Sequence, residues 1–264
     1  ILLGLVGSEM CIRDSDKITN RVSVLSTGLN IDPIVVVQKA VPGLYSDISS
    51  VEIDTYLAET AAALTVEHPD YSYLAARIKV NSLHKETPGF IIATKNLYDD
   101  GLLREEYFKK VTENADAIES IIDYDKDYTF DYFALTTLIR AYLLKFDNRT
   151  IERPQDLWMR VTLTVTGNEF NLDKIKETYK SLSSGMYTHA TPTLFNSGLK
   201  MQQLSSCFLI GMEDDSIEGI FNTIKDCALI SKTAGGIGMH AHNIRGSGSR
   251  IKSTNGKSNG LIPF

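Results

Sequence analysis

The sequence predicts a helical N-terminal region followed by the first elements of an α/β domain. Apolar residues recur at helical spacing through most of the first 187 residues, whereas short extended or Gly/Ser/Asn-rich pieces surround one well-marked helix after Tyr187. Of the 264 residues, 43% are hydrophobic and 23% are charged, which is the balance of a globular protein with a sizeable core. The net charge of −6 argues against nucleic acid or an anionic membrane as a partner.

Residues 1–15, ILLGLVGSEMCIRDS, are excluded from the fold prediction. Their apolar run is far shorter than the roughly 20 residues of a membrane span, and no basic region precedes it as in a signal peptide. The segment resembles a translated adapter tail, so we interpret it, together with Cys11, as a sequencing artefact. Cys207 and Cys227 then remain, and their spacing is neither a disulfide framework nor a zinc motif, which favours a reducing, cytoplasmic environment.

Two helical regions are predicted before Tyr187. In residues 16–89, Ser49 and Glu52 form a capping box at one helix start, and a second helix fits YSYLAARIKVNSLHKE before Pro88-Gly89. Residues 90–187 form a helix-rich connecting region that includes YFALTTLIRAYLLKF and PQDLWMRVTLTV. Trp158, the only tryptophan, lies among apolar residues of the last segment, so its predicted role is packing.

Residues 188–264 are predicted to begin an α/β domain around one helix. Asp215 and Glu218 suggest an Asp-x-x-Glu cap at its start, and Gly235-Gly236 ends it. The helical spacing predicts a buried stripe of apolar side chains: Ile217, Ile220, Phe221, Ile224 and Ala228. Cys227 lies beside this stripe and is predicted to belong to the core, whereas Cys207 precedes the helix on a short strand.

Two patterns near this helix have structural interpretations that we prefer. GIGMHA, from Gly236, satisfies G-x-G-x-x-A, but a dinucleotide site needs a strand before the glycines and a helix after them, and the predicted order here is reversed. His240 and His242 would share one face of a strand. A zinc site needs three or four ligands, so no metal site is predicted.

Two further features leave alternatives open. The loop of residues 244–260 is rich in glycine, hydroxyls and the cations Arg245, Arg250, Lys252 and Lys257, so it is either an anion-binding cradle or a solvated loop. Asp215 and Ser216 at a helix start favour a nucleotide, because the helix end attracts phosphate and a carboxylate accepts from a sugar hydroxyl. For Cys207, the candidate roles are a buried apolar residue, a nucleophile or a redox thiol.

Five ordered motifs resemble the large subunit of class I ribonucleotide reductases: HATPTLFNSG, QLSSCFL, DDSIEGIF, ISKTAGGIGM and IRGSGS…TNGKSNGLIPF. The similarity extends back to Asp16 through DKITNRV, GLNID, VEIDTYLAETAAALT, HPDYSYLAARI and LHKET. The resemblance implies an ATP cone at 16–89, a helical N-terminal reductase domain at 90–187, and the start of a ten-stranded α/β barrel at 188–264.

The resemblance also implies a reaction and its residues. The family reduces ribonucleoside diphosphates to 2′-deoxy products with a cysteine thiyl radical and a redox cysteine pair. Cys207 matches the first member of that pair, and Thr191 and Ser206 match substrate contacts. Six residues match the family's contacts with the dNTP specificity effector: Asp215, Ser216, Ile217, Lys232, Arg245 and Lys252. Ser50 and Lys85 match contacts of the cone with ATP or dATP.

The implied partners are a small radical-generating subunit, thioredoxin or glutaredoxin, and a second large subunit in a homodimer. The radical cofactor belongs to the small subunit, so no metal is expected here. The radical cysteine and the second redox cysteine lie downstream of this sequence in the family, and the basic hairpin before the cone is replaced by residues 1–15. The 264-residue chain alone is therefore expected to be inactive. A non-catalytic ATP- or dNTP-binding regulatory module is the alternative.

Overall fold

A computed structural model describes residues 16–45, 48–252 and 254–263. The segment interpreted as an artefact, residues 1–15 with Cys11, lies outside the described residues. The chain divides into two compact units, the first ending at Tyr187 and the second beginning at Thr188.

The first unit is helical, as predicted. Its α-helices are α1 (16–25), α2 (Pro33–Ala40), α3 (Ser50–Ala63), α4 (Asp70–Glu86), α5 (Phe90–Asp99), α6 (Glu105–Glu113), α7 (Ala115–Glu119), α8 (Tyr132–Thr137), α9 (Pro154–Val165) and α10 (Leu172–Ser183). Its shorter elements are the 3-10 helices Val41–Gly43, Leu64–Val66 and Tyr124–Thr129, the π-helix Leu138–Tyr142, and the antiparallel strands β1 (Lys145–Phe146) and β2 (Arg149–Thr150).

Helices α3 and α4 pack against each other in the first unit. The predicted capping box begins α3: the Glu52 N–H donates to the Ser49 hydroxyl at 3.2 Å, and the Ser49 N–H donates to the Glu52 carboxylate at 2.9 Å. Leu57 of α3 and Leu74 and Ile78 of α4 are buried in one core cluster with side chains of α1 and α2. Helix stability here comes from the burial of these apolar faces.

Helix α9 carries buried ionisable side chains, each of which has polar partners. Arg160 is 1% exposed and its guanidinium donates to both carboxylate oxygens of Glu152, at 2.5 and 3.1 Å. The fully buried Asp156 accepts from the Tyr124 hydroxyl at 2.7 Å and from the Arg153 N–H at 2.8 Å. Burying an unpaired charge is costly, and these contacts offset that cost. Trp158, on the same helix, is buried as predicted.

The second unit is a helix followed by a parallel β-α-β arrangement: α11 (Thr191–Asn196), β3 (Cys207–Gly211), α12 (Ile217–Ser231) and β4 (Gly236–His240). Strands β3 and β4 pair in parallel, with Cys207 opposite Gly236 and Gly211 opposite His240. Parallel strands need a crossover connection, which α12 provides. The order helix, glycines, strand is the one predicted from GIGMHA, and this is the beginning of an α/β domain.

Three local predictions are wrong. The stripe on α12 is only partly buried: Ile220 is buried, but Ile217 and Phe221 are 64% and 57% exposed, because α12 packs mainly on the two short strands β3 and β4, which cover only part of its apolar face. For the same reason Cys227 is half-buried instead of belonging to a core. The helix predicted for YFALTTLIRAYLLKF passes into the π-helix after Thr137, and its last two residues form β1.

Candidate functional site

The cavity of about 750 Å³ in the second unit lies at the N-terminus of α12. Asp215, Ser216 and Ile217 line it on the helix side, and Arg245 and Lys252 line it on the loop side. Five of the six residues predicted to bind the specificity effector are therefore brought together, although about 30 residues separate the two groups in sequence.

Ser216, and not Asp215, caps α12. The Ser216 backbone is extended, with φ −137° and ψ 160°, and its hydroxyl accepts from the Gly219 N–H at 3.1 Å. The predicted Asp-x-x-Glu cap is therefore wrong by one residue. A side chain at Gly219 would place its Cβ 2.7 Å from the Asp214 backbone nitrogen, so glycine is required for this turn. Because Ser216 and Ile217 line the cavity, the start of α12 borders it, and a helix N-terminus favours an anion.

Asp215 instead pairs with Arg245. Arg245 Nε donates to Asp215 Oδ2 at 2.5 Å, and Nη2 donates to the Asp215 carbonyl oxygen at 2.9 Å. The Arg245 side chain is 34% exposed and the Asp215 side chain 26% exposed, so the pair lies at the cavity surface. It links the helix start to the loop and fixes the direction of the guanidinium.

Within the loop of residues 244–260, the segments 248–251 and 256–258 pair as a small hairpin. The Gly248 N–H donates to the Ser258 carbonyl oxygen and the Ser258 N–H to that of Ser249, both at 2.8 Å. Arg250 and Lys257 form an antiparallel bridge. Of the two alternatives for this loop, the hairpin and its cations at the cavity favour the anion-binding one.

Cys207 begins β3 and is exposed, which excludes the buried apolar role within the described residues. Its neighbour Ser206, also exposed, accepts from the Gly236 N–H at 2.7 Å, so both residues are held at the start of the β3–β4 pair. Thr191 is the first residue of α11. This helix is fixed to the segment before β3 because Thr193 donates to the Leu204 carbonyl oxygen at 3.1 Å.

Lys232 is not part of this cavity. It lies at the C-terminal end of α12, and the 15 residues of that helix, at about 1.5 Å each, place it roughly 22 Å from the helix start. The His240 and His242 rings stack with centroids 4.2 Å apart. Within the described part of the chain, no group of three or more His, Cys, Asp or Glu side chains is arranged to hold a metal ion.

The two residues predicted to bind the activity effector, Ser50 and Lys85, lie in the first unit. Ser50 is the exposed first residue of α3, and Lys85 lies near the end of α4. Lys85 lies 3.7 Å from the carboxylate of Asp54, a residue that the sequence analysis missed: Asp54 is 2% exposed and forms an ion pair with Arg21 of α1. Burial and the nearby Arg21 charge lower the pKa of Lys85.

A sequence signal for Asp54 was present. Ser50 and Asp54 are four residues apart, so they share one face of α3, and an acid next to the buried Leu57 and Ala58 requires a partner. Asp54 also lines a cavity of about 580 Å³ between α3 and α4, whose other polar residues include Lys79, Glu86 and Arg149.

In the fold, a helical module precedes the beginning of an α/β unit whose cavity is lined by a helix start, a carboxylate and cations. Family models match the chain in the same order. Residues 13–86 match the ATP cone domain, residues 128–202 the ribonucleotide reductase all-alpha domain, and residues 205–264 the ribonucleotide reductase barrel domain. None of the described helices is long and apolar enough to span a membrane.

Three relatives show the same family. The chain is 47% identical to the ribonucleoside-diphosphate reductase large chain 2 of Saccharomyces cerevisiae, 46% to the large chain of Schizosaccharomyces pombe and 47% to the large subunit of Caenorhabditis elegans. Each alignment covers 94% of this chain and, respectively, 30%, 32% and 33% of the relative. The chain thus spans about a third of these proteins, and it belongs to the ribonucleotide reductase large-subunit family.

Proposed function

We propose that this chain is the effector-binding and first catalytic part of a ribonucleotide reductase large subunit. The whole protein then reduces ribonucleoside diphosphates to 2′-deoxyribonucleoside diphosphates in the cytoplasm, together with a small radical-generating subunit. The observation that carries the proposal is the cavity at α12, where a helix start, a carboxylate and cations line one space. The relatives' names, ribonucleoside-diphosphate reductase, support the same activity.

Cys207 is proposed as one of two thiols that supply the electrons. In the reaction, two thiols are oxidised to a disulfide, the ribose 2′-hydroxyl leaves as water, and a C–H bond replaces the C–O bond. Two electrons and two protons thus pass from the thiols. The exposure of Cys207 supports this role, since its thiol must be reachable by substrate and by the second cysteine. Thioredoxin or glutaredoxin would re-reduce the disulfide, and Ser206 and Thr191 would contact the substrate.

The α12 cavity is proposed to bind the dNTP effector. The N-terminus of α12, Arg245 and Lys252 suit its phosphates, Asp215 suits a sugar hydroxyl, and Ile217 supplies an apolar wall. Lys232 lies at the distant end of the helix, so we assign its effector contact to the second copy in the proposed homodimer. Ser50, Lys85 and Asp54 would belong to the ATP or dATP site of the cone.

The test is turnover of the full-length protein with its small subunit. Cys207→Ser should abolish thioredoxin-coupled formation of deoxynucleoside diphosphate, because one of the two electron-donating thiols is lost. Cys227→Ser is the matched control: Cys227 is half-buried on α12 and outside the proposed chemistry, so the variant should retain turnover. Full turnover by Cys207→Ser would refute the redox assignment. Nucleotide binding by a full-length protein without any reductase activity would favour the regulatory module instead.

A further inference from the structure

Arg250 and Lys257 lie directly opposite each other in the hairpin beside the α12 cavity. The Ile251 N–H donates to the Gly256 carbonyl oxygen and the Ser258 N–H to that of Ser249, both at 2.8 Å, so two hydrogen bonds flank the pair. This pattern makes Arg250 and Lys257 a non-hydrogen-bonded pair, the kind in which opposite side chains approach most closely. Two cations therefore share one face of the hairpin at short range.

Such a like-charge pair is unfavourable unless an anion lies nearby. The Arg250 guanidinium donates to the Asn255 side-chain oxygen at 3.2 Å, which is a neutral acceptor. In the described parts of the chain, neither Arg250 nor Lys257 is within ion-pair distance of a carboxylate. The sequence from Ile244 to Phe264 contains four cations and no acidic residue. The hairpin thus lacks an internal countercharge.

Arg250 also lines the α12 cavity, together with Lys252 two residues further on. We propose that Arg250 and Lys257 form a clamp for one phosphate group of a polyphosphate, in addition to the phosphate position at Arg245 and the start of α12. The site would then distinguish nucleoside triphosphates from monophosphates by the number of phosphates. This inference rests on the proposed effector site and adds a selectivity element to it.

The test is calorimetric titration of the 264-residue chain with dTTP, dTMP and inorganic tripolyphosphate at one ionic strength. Arg250→Gln and Lys257→Gln should each lower the affinity for dTTP and for tripolyphosphate about tenfold, because a charge-assisted contact is lost. The affinity for dTMP should change much less. Lys225→Gln, an exposed lysine of α12 outside the cavity lining, is the matched control and should bind all three ligands like the parent chain. Without ligand, each glutamine variant should raise the midpoint of thermal unfolding of the second unit, since the repulsion is removed.

Equal losses of affinity for dTMP and dTTP in the two variants would overturn the clamp, because they would show only a general electrostatic attraction. Unchanged dTTP binding by R250Q and K257Q would overturn the clamp and leave the effector site intact. If tripolyphosphate binds in a way that depends on Arg250 and Lys257, and dTTP binds no more tightly than tripolyphosphate, the clamp would stand and the effector site would be overturned. Absence of binding by dTTP and tripolyphosphate would overturn both.

Discussion

Asp156 should make the stability of the first unit depend on pH. Its complete burial raises the pKa of its carboxyl from 3.8 to about 7, against the opposing hydrogen bonds from Tyr124 and Arg153. Between about pH 4 and pH 7 the folded protein therefore holds a proton that the unfolded chain has released. The free energy of unfolding then falls as the pH rises, by about 1.4 kcal/mol for each pH unit and about 4 kcal/mol over the window.

The perturbation is Asp156→Asn, which keeps the shape of the side chain and removes its titration. Urea unfolding of both proteins, followed by the fluorescence of the single tryptophan, Trp158, gives the free energies from about pH 4 to pH 8. Trp158 lies two residues after Asp156 on α9 and is buried, so its emission reports the unfolding of this region. From the low to the high end of this pH range, the free energy of unfolding of the variant should rise by about 4 kcal/mol relative to that of the parent chain.

A matched control is Asp173→Asn, an exposed acid in the first turn of α10, which should follow the parent chain at every pH. Burial also raises the pKa of Asp127, but this carboxyl is present in every protein compared, so its effect cancels in the differences. A constant difference between D156N and the parent chain would refute the reasoning. It would mean that the donors from Tyr124 and Arg153 keep Asp156 ionised and outweigh burial.

Three further substitutions test helix ends. Lys110→Met should lower the free energy of unfolding by about 2–3 kcal/mol in the same fluorescence assay, because the buried ammonium donates to the Gly167 carbonyl oxygen at 2.7 Å and to a second carbonyl at the end of α9. Ala234→Gly should slow amide hydrogen exchange in α12 by stabilising it about 0.5–1 kcal/mol, since Ala234 has φ 63°. Gly235→Ala should speed amide hydrogen exchange in α12, because its Cβ would lie 2.6 Å from an Ile230 methyl. Faster exchange in A234G, or an unchanged free energy of unfolding in K110M, would contradict these expectations.

The features that sequence predicted correctly depend on neighbours within one turn. The capping box of Ser49 and Glu52, the end of α4 before Pro88, and the order of helix and strand around Gly236 all follow from local chemistry. Residue type and spacing contain enough information for such features, because the interacting atoms are at most four residues apart.

The predictions that failed, or were never made, depend on distant partners. Asp215 looked like a helix cap because Glu218 follows at the right spacing, but Arg245, 30 residues away, binds its carboxylate and Ser216 takes the cap. Asp54 was missed because its partners, on α1 and α4, lie far away in sequence. The stripe on α12 was predicted from periodicity alone, which shows that a face is apolar and does not show what covers it.

The Asp215–Arg245 pair explains how a carboxylate and cations can both serve the proposed effector cavity. A guanidinium has five N–H donors, and the two contacts with Asp215 use Nε and one donor of Nη2. The remaining donors can bind a phosphate without breaking the pair, while Asp215 Oδ1, which takes no part in the pair, can accept from a sugar hydroxyl. A lysine at position 245 would keep the charge and lose this division of donors, so the geometry of the guanidinium, more than its charge, suits the cavity to a nucleotide.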